Sequence, residues 1–213
     1  VEEHINENCK GFLSECVGFV SASVGRMVPV VTDELKAYDP LIVGVEPFNT
    51  LPVDANAFKG EIPDIKNMLP AKNFAYYTQS KLYIHNMLHS ICAYLGFLKG
   101  WTYIYEAIND EEIAKTLRGA LGEISQAISA EHGVEAEKPT AYGEDLIRRF
   151  ANRALADSVV RVGRDTPRKL AYQDRLVGAA RLCEKHGVEF DYIAQGIAAA
   201  LMRTVIRNAK ILV

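Results

Sequence analysis

Residues 74–98 constrain the fold of this chain more than any other stretch. Leu82, Leu88, Ile91, Cys92, Leu95 and Leu98 recur there at threes and fours, the period of an apolar helix face. Lys99-Gly100 then ends the pattern, a charge followed by a helix-stopping glycine. Further helices fit residues 102–109, 110–132, 143–156, 168–186 and 190–207. Asn109 or Asp110 can cap the second of these, and the acidic residues 110–112 suit the positive end of its dipole. Pro167 is placed for a first helical turn, with Thr166 or Asp165 as cap. Gly187 closes that helix and Asp191 opens the last.

Ahead of residue 74 the character differs. Residues 2–14 suit a helix. Three strand-like runs follow: 17–20 (VGFV), 27–31 (MVPVV, where Pro29 marks an edge or strand end) and 41–46 (LIVGVE), the clearest. Residues 48–70 hold Pro52, Gly60, Pro63 and Pro70 and read as loop with short strand or turn pieces. The expected fold class is therefore mainly α, a multi-helical domain with a small N-terminal β region of few short strands. The expected division is a β-containing segment over 1–70 and a helical body over 71–213.

Composition excludes several partners. A net charge of -3 with no long run of like charges argues against nucleic acid. Phosphorylated small molecules stay open, because a local Arg/Lys cluster does not need a basic whole. Cys9, Cys16, Cys92 and Cys183 lie scattered without C-x-x-C spacing, as in a reduced, cytoplasmic protein. No apolar run reaches membrane-spanning length. The opening VEEHINENCK lacks a signal-peptide core and an initiator Met, so it reads as an internal or trimmed start. No G-x-G-x-x-G follows a strand and no Walker sequence occurs, so no nucleotide cradle is visible.

The segment KLYIHNMLHS carries the chemistry. At about 100° per residue, Lys81 lies at 0°, His85 near 40°, His89 near 80° and Asn86 near 140°. They share one broad face of an otherwise apolar helix. That face is either solvated or a site, since burying it unsatisfied is costly. His85 and His89 have the i, i+4 spacing of two metal ligands. No Glu lies between them and no third ligand is indicated, so no metal is expected. Downstream, Arg161 and Lys169 flank Arg164 and Arg168 around a helix start that favours anions. Ion pairing with Asp157, Asp165 and Asp174 is the alternative use of those cations.

Several motifs, in order, carry a resemblance. Lys81-x4-Asn86-x2-His89 resembles the signature of the long-chain polyol dehydrogenases, and Ala93-Tyr94-Leu95-Gly96-x3-Gly100 their A-Y-L-G-x-L-x-G continuation. Arg161-Val162-Gly163-Arg164-x3-Arg168-Lys169-Leu170 resembles the R-V-G-R-x-P-x-R-K-L of the mannitol-1-phosphate 5-dehydrogenase type. Asp174-Arg175-Leu176 and the run from Gly196 to Ala200 extend the likeness, and VGFVSASVGRMVP resembles V-G-F-V-D-S-A-V-D-R-I-V-P near the start. Gly25 stands where that pattern has Asp.

The resemblance implies the catalytic half of an NAD-dependent polyol-phosphate dehydrogenase, interconverting a sugar-alcohol phosphate and a ketose phosphate such as mannitol 1-phosphate and fructose 6-phosphate. It implies no metal, and a dinucleotide-binding N-terminal domain in cis or trans, of which residues 1–70 would be the tail. Lys81 would be the general acid/base, with Asn86 and His89 steadying the oxygen. Arg161 and Lys169, and then Arg164 and Arg168, would bind substrate. No cofactor-binding residue is identified. Relatives acting on mannitol or on fructuronate or tagaturonate, and a non-catalytic helical binding module, are the alternative readings.

Overall fold

The computed structural model describes residues 11–29 and 31–209, with backbone only at 13, 14 and 207–209. The helix expected over 2–14 lies partly outside them; its described end is α1 (Phe12–Cys16). The chain divides into two compact units, one of Val1–Arg26 with Pro47–Thr78, the other of Met27–Glu46 with Gln79–Val213.

In the first unit, β1 (Leu51–Asp54) and β2 (Met68–Ala71) pair in parallel with Leu51 opposite Met68. The strands thus arise in the proline-containing stretch rather than in the three apolar runs. Pro52 and Pro70 are tolerated because a two-stranded sheet has only edges. Residues 17–20 form no strand; among the described residues the chain beside β1 is bridged at Ala22, opposite Val53, with Ser23 N donating to Pro52 O at 2.9 Å and Asp54 N to Ser21 O at 3.0 Å. α3 (Phe74–Gln79) follows.

The second unit is helical. Residues 27–29 and 41–46 are not strands here, and Val30 lies outside the described residues. The reason is visible in burial: Leu41 is 85% and Val43 63% exposed, so among the described residues the 41–46 run has no neighbouring sheet to pack on, and β-propensity without one is a weak force. α2 (Asp33–Tyr38) lies between them, capped by Thr32.

The 74–98 stretch is helical throughout, but its centre, Ser80–Asn86, is a π-helical segment ahead of α4 (Met87–Leu98). In α4, Met87, Leu88, Ile91, Cys92, Ala93 and Tyr94 are all fully buried, as befits a helix apolar around its circumference. Around it stand α5 (Ile104–Ala107), α6 (Glu111–His132), α7 (Glu137–Phe150), α8 (Val159–Val162), α9 (Thr166–Lys169), α10 (Val177–Lys185) and α11 (Asp191–Ala209). α11 packs closest on α4: a Cβ on Gly196 would sit 2.4 Å from Ile91 Cγ1. Asp110 caps α6, its Oδ1 accepting from the amides of Glu112 and Ile113 at 3.1 and 3.2 Å.

Several helix boundaries differ from expectation: α5 is shorter than 102–109, and α7 ends at Phe150 rather than at 156. α7 starts before 143 because Pro139 falls in its first turn, where an amide N–H has no intrahelical partner to lose. The helix expected over 168–186 is broken into α9 and α10. The Asp174 carboxylate takes the Arg175 amide at 2.6 Å and the Tyr83 hydroxyl donates to Gln173 O at 3.3 Å; such bonds compete with the helical ladder. Among the described residues no helix is long and apolar enough to cross a membrane.

Candidate active site

The π-helical segment places the lysine and the first histidine side by side. Such segments wind with i→i+5 hydrogen bonds and often mark functional sites. Lys81 Nζ lies 3.0 Å from His85 Nδ1. Burial brings the Lys81 amine down to about 8; the Arg149 guanidinium pushes the same way, Glu46 opposes it, and Arg175 lowers it further. An amine so placed is neutral in a useful fraction near neutral pH.

Glu46 and Arg149 form a buried pair behind the lysine. Arg149 Nε donates to Glu46 Oε2 at 2.8 Å, Nη2 pairs with Oε1, and the Met27 amide donates to Oε1 at 2.5 Å. Two carboxylate oxygens thus meet a guanidinium fork.

His85 is 3% exposed. Burial, then the Lys81 charge, then His89, Arg149 and Arg175 hold it well below the usual histidine range. The Tyr142 hydroxyl lies 3.5 Å from the same Nδ1. His89 stacks on Phe150 with ring centroids 4.7 Å apart, and its Nε2 is 3.5 Å from Asp157 Oδ2. Burial first, then Lys169, Arg161, Lys81 and Arg175 bring its pKa down to about 3. The other oxygen of the Asp157 carboxylate is paired with Arg161. Both imidazoles are therefore neutral at pH 7. The Asn86 side chain is half-buried and makes no hydrogen bond among the described residues.

The downstream cations divide. Lys169 is buried, donates to the Val162 carbonyl and faces the Tyr94 ring; burial, then Arg175, Arg168 and Arg203, bring it down to about 8 against Asp165. Arg161 is partly exposed and paired with Asp157, and burial lowers its pKa. These two join the field felt by His89. Arg164 is exposed and donates to Arg161 O, and Arg168 is exposed and pairs with Asp165 and with Asp174 at 3.2 Å. The structure does not bring that pair into the cluster.

Arg203 holds the turn that carries Arg161 and Lys169. It is 1% exposed and donates through Nη1 to Gly163 O at 2.5 Å and Thr166 Oγ1 at 3.2 Å. Asp157 is fixed by a backbone bridge, with Ile104 N donating to Asp157 O at 2.8 Å and Val159 N to Thr102 O at 3.0 Å. Among the described residues no group of three or more His, Cys, Asp or Glu is placed to hold a metal ion.

The cluster falls within residues 73–207, apart from Glu46, and those residues match the family model described as the mannitol dehydrogenase C-terminal domain. The chain belongs to the mannitol dehydrogenase family. Residues 1–67 match the mannitol dehydrogenase Rossmann domain. The chain is 39% identical over 191 residues to the mannitol-1-phosphate 5-dehydrogenase of Caldanaerobacter subterraneus subsp. tengcongensis, covering 90% of this chain and 49% of that protein. It is 37% identical over 201 residues to the enzyme of the same name from Brevibacillus brevis, covering 94% of this chain and 51% of that protein. The chain spans about half the length of the curated relatives it matches. Among solved structures, D-sorbitol dehydrogenase in substrate-free form is similar at a TM-score of 0.78 and 22% identity, covering 94% of this chain and 43% of that one. Pseudomonas fluorescens mannitol 2-dehydrogenase, in a ternary complex with NAD and D-mannitol, is similar at 0.71 and 24%, covering 92% and 41%. At those identities the likeness speaks for the mannitol dehydrogenase fold alone.

Four residues of the cluster went unassigned by sequence reasoning. Arg175 lay inside a quoted motif, and its basic charge so close to Lys169 was the available signal. Glu46, a lone acid ending an apolar run, was a weaker one. Arg149 and Tyr142 sit in an ordinary amphipathic helix and carry no local signal.

Proposed function

We propose that this chain is the substrate-binding and catalytic part of an NAD-dependent polyol-phosphate dehydrogenase, acting between mannitol 1-phosphate and fructose 6-phosphate or close analogues. The observation that carries the reading is the Lys81 amine, with its pKa brought down to about 8 and held 3.0 Å from a neutral His85.

Hydride leaves a carbinol carbon readily only as its hydroxyl loses a proton, so a base must sit within hydrogen-bond reach. Neutral Lys81 takes that proton, and in the reverse direction its ammonium returns it to the ketone oxygen. The unengaged amide of Asn86 donates to the developing alkoxide; preorganised donors of this kind contribute roughly 2.7–4 kcal/mol. His89, its Nε2–H turned to Asp157, accepts a substrate hydroxyl at Nδ1. Lys169 and Arg161 receive the substrate phosphate; Arg164 and Arg168, exposed and outside the cluster, are left out of that role. The names of the two curated relatives support a phosphate ester as substrate.

NAD, when bound, accepts the hydride. The residues described here do not fit a dinucleotide: β1 and β2 lead into no glycine-rich turn. We assign NAD to the dinucleotide-binding half, in the same polypeptide or as a separate chain, with residues 1–70 as the tail of that half and 71–213 as the catalytic body. Free thiols at Cys16, Cys92 and Cys183 support a reducing compartment such as the cytoplasm.

The test is NAD-linked turnover by protein carrying both halves, across mannitol 1-phosphate, mannitol and hexuronates. Mannitol 1-phosphate is expected to be preferred, and Lys81→Ala to lower kcat by about 10²–10⁴ with the fold retained by circular dichroism. Turnover of mannitol but not its phosphate rejects the phosphate reading, and near-normal kcat in Lys81→Ala rejects the lysine.

A further inference from the structure

We propose that Arg175 reads the substrate phosphate, joining Lys169 and Arg161, and that Asp174 is its positioning residue. The inference rests on the polyol-phosphate reading above and names the side chain that tells an ester from a free polyol. Arg175 is largely withdrawn from solvent, with 15% of its side chain exposed. Its Nε donates to Asp174 Oδ1 at 2.8 Å, and its amide donates to the same oxygen at 2.6 Å. Nη1 and Nη2 make no hydrogen bond among the described residues, and neither is sealed away from water. With Nε pinned, the far end of the guanidinium is left as a two-pronged donor, the shape that meets phosphate oxygens bidentately.

The turn that carries Arg175 is fastened to the back of the Lys81 segment. The Tyr83 hydroxyl donates to Gln173 O at 3.3 Å, and a Cβ on Gly178 would stand 2.8 Å from that hydroxyl. Leu176, the next residue, is fully buried. Burial is the first cause of the lowered pKa at Lys81, His85, His89 and Lys169, and the Arg175 charge adds to it at all four. One guanidinium thus lies within electrostatic reach of the base and of Lys169 together. The charges near it leave room for an anion. Asp157 is paired with Arg161, Glu46 with Arg149, and Asp165 with Arg168. Asp174 divides its oxygens between Arg175 and Arg168. Lys169 donates to the Val162 carbonyl and makes no ion pair among the described residues. A phosphate monoester brings about -1.5 to -2 charges at pH 7, whereas a free hydroxyl at the same place would leave the fork without an anion.

The experiment compares the protein carrying both halves with its Arg175→Gln, Arg175→Lys and Asp174→Asn variants, their folds checked by circular dichroism. The readout is the ratio of kcat/KM for mannitol 1-phosphate to that for mannitol. Removing the Arg175 charge also raises the Lys81 pKa, but that acts on both substrates alike, so the ratio isolates the fork. The ratio is expected to fall about 100-fold in Arg175→Gln and about tenfold in Arg175→Lys, which keeps the charge and loses the fork. Asp174→Asn, which keeps an acceptor oxygen, is expected to raise KM for the phosphate about tenfold with kcat within about twofold. An equal loss on both substrates marks a merely structural role and overturns the assignment, as does a parental ratio. A second readout does not depend on turnover. In calorimetric titration with inorganic phosphate, Arg175→Gln is expected to bind about tenfold more weakly than the parent; parental affinity in the variant, or no binding by the parent, overturns the assignment. If the parent turns over no polyol phosphate, the functional reading fails while this titration still decides Arg175.

Discussion

Glu46→Gln removes one charge from behind Lys81 and leaves the volume almost unchanged. The Glu46 side chain is 3% exposed and that of Arg149 11%, so the substitution takes the charged carboxylate fork away from a guanidinium in the interior. Breaking a buried pair by removing one partner costs 3–5 kcal/mol. Arg149 retains Asp145 at 3.5 Å, which puts the loss at the lower end, about 3 kcal/mol. At about 2–4 °C per kcal/mol for a domain of this size, Tm should fall by about 6–12 °C. Arg149→Met should also destabilise, because it leaves the Glu46 carboxylate without its guanidinium. The double variant should recover much of the loss, since two neutral side chains carry no stranded charge. Denaturant unfolding of the four proteins gives the coupling energy directly. Glu46 is also the group that raises the Lys81 pKa, so the single variant should shift the lysine below about 8. A Glu46→Gln protein within 1 kcal/mol of the parent, with additive effects in the cycle, would refute the claim that this pair is buried and coupled.

Lys81 itself predicts a pH dependence of stability. Its pKa falls from 10.5 to about 8 on folding, so between those values the unfolded chain binds more protons than the folded one. Stability therefore rises with pH across that window, and the burial penalty is fully present below pH 8. Lys81→Met should be more stable than the parent at pH 7 by about 1–3 kcal/mol, allowing for solvent around the amine, and the gap should close by about pH 10.5; a gap constant with pH would reject the lowered value. The cysteines give a further test: Cys16 is exposed, whereas burial pushes Cys92 and Cys183 up to about 12. A thiol reagent at pH 8 should label Cys16 at once and the other two only on unfolding; mass spectrometry showing early modification of Cys183 would contradict the packing of α10.

What was legible in the sequence follows from where each signal is stored. The 74–98 helix and the cap at Asp110 are local: apolar spacing and a side chain that bonds amides two and three residues on. The runs at 17–20 and 41–46 have the composition of strands, but a strand needs a partner, and pairing instead used Leu51–Asp54 and Met68–Ala71. The site divides the same way. Lys81, His85, Asn86 and His89 share one helix and could be read together from spacing, although an ideal 100° step could not anticipate the π-helical winding of Ser80–Asn86. Arg149, Tyr142 and Glu46 reach Lys81 and His85 only through the packing of α7 and of the 27–46 segment. No short-range pattern encodes those contacts. The chain thus keeps the groups that would react on one element and the groups that set their protonation on others, so charge changes at Glu46 or Arg149 should tune the lysine without touching the Lys-x4-Asn-x2-His signature.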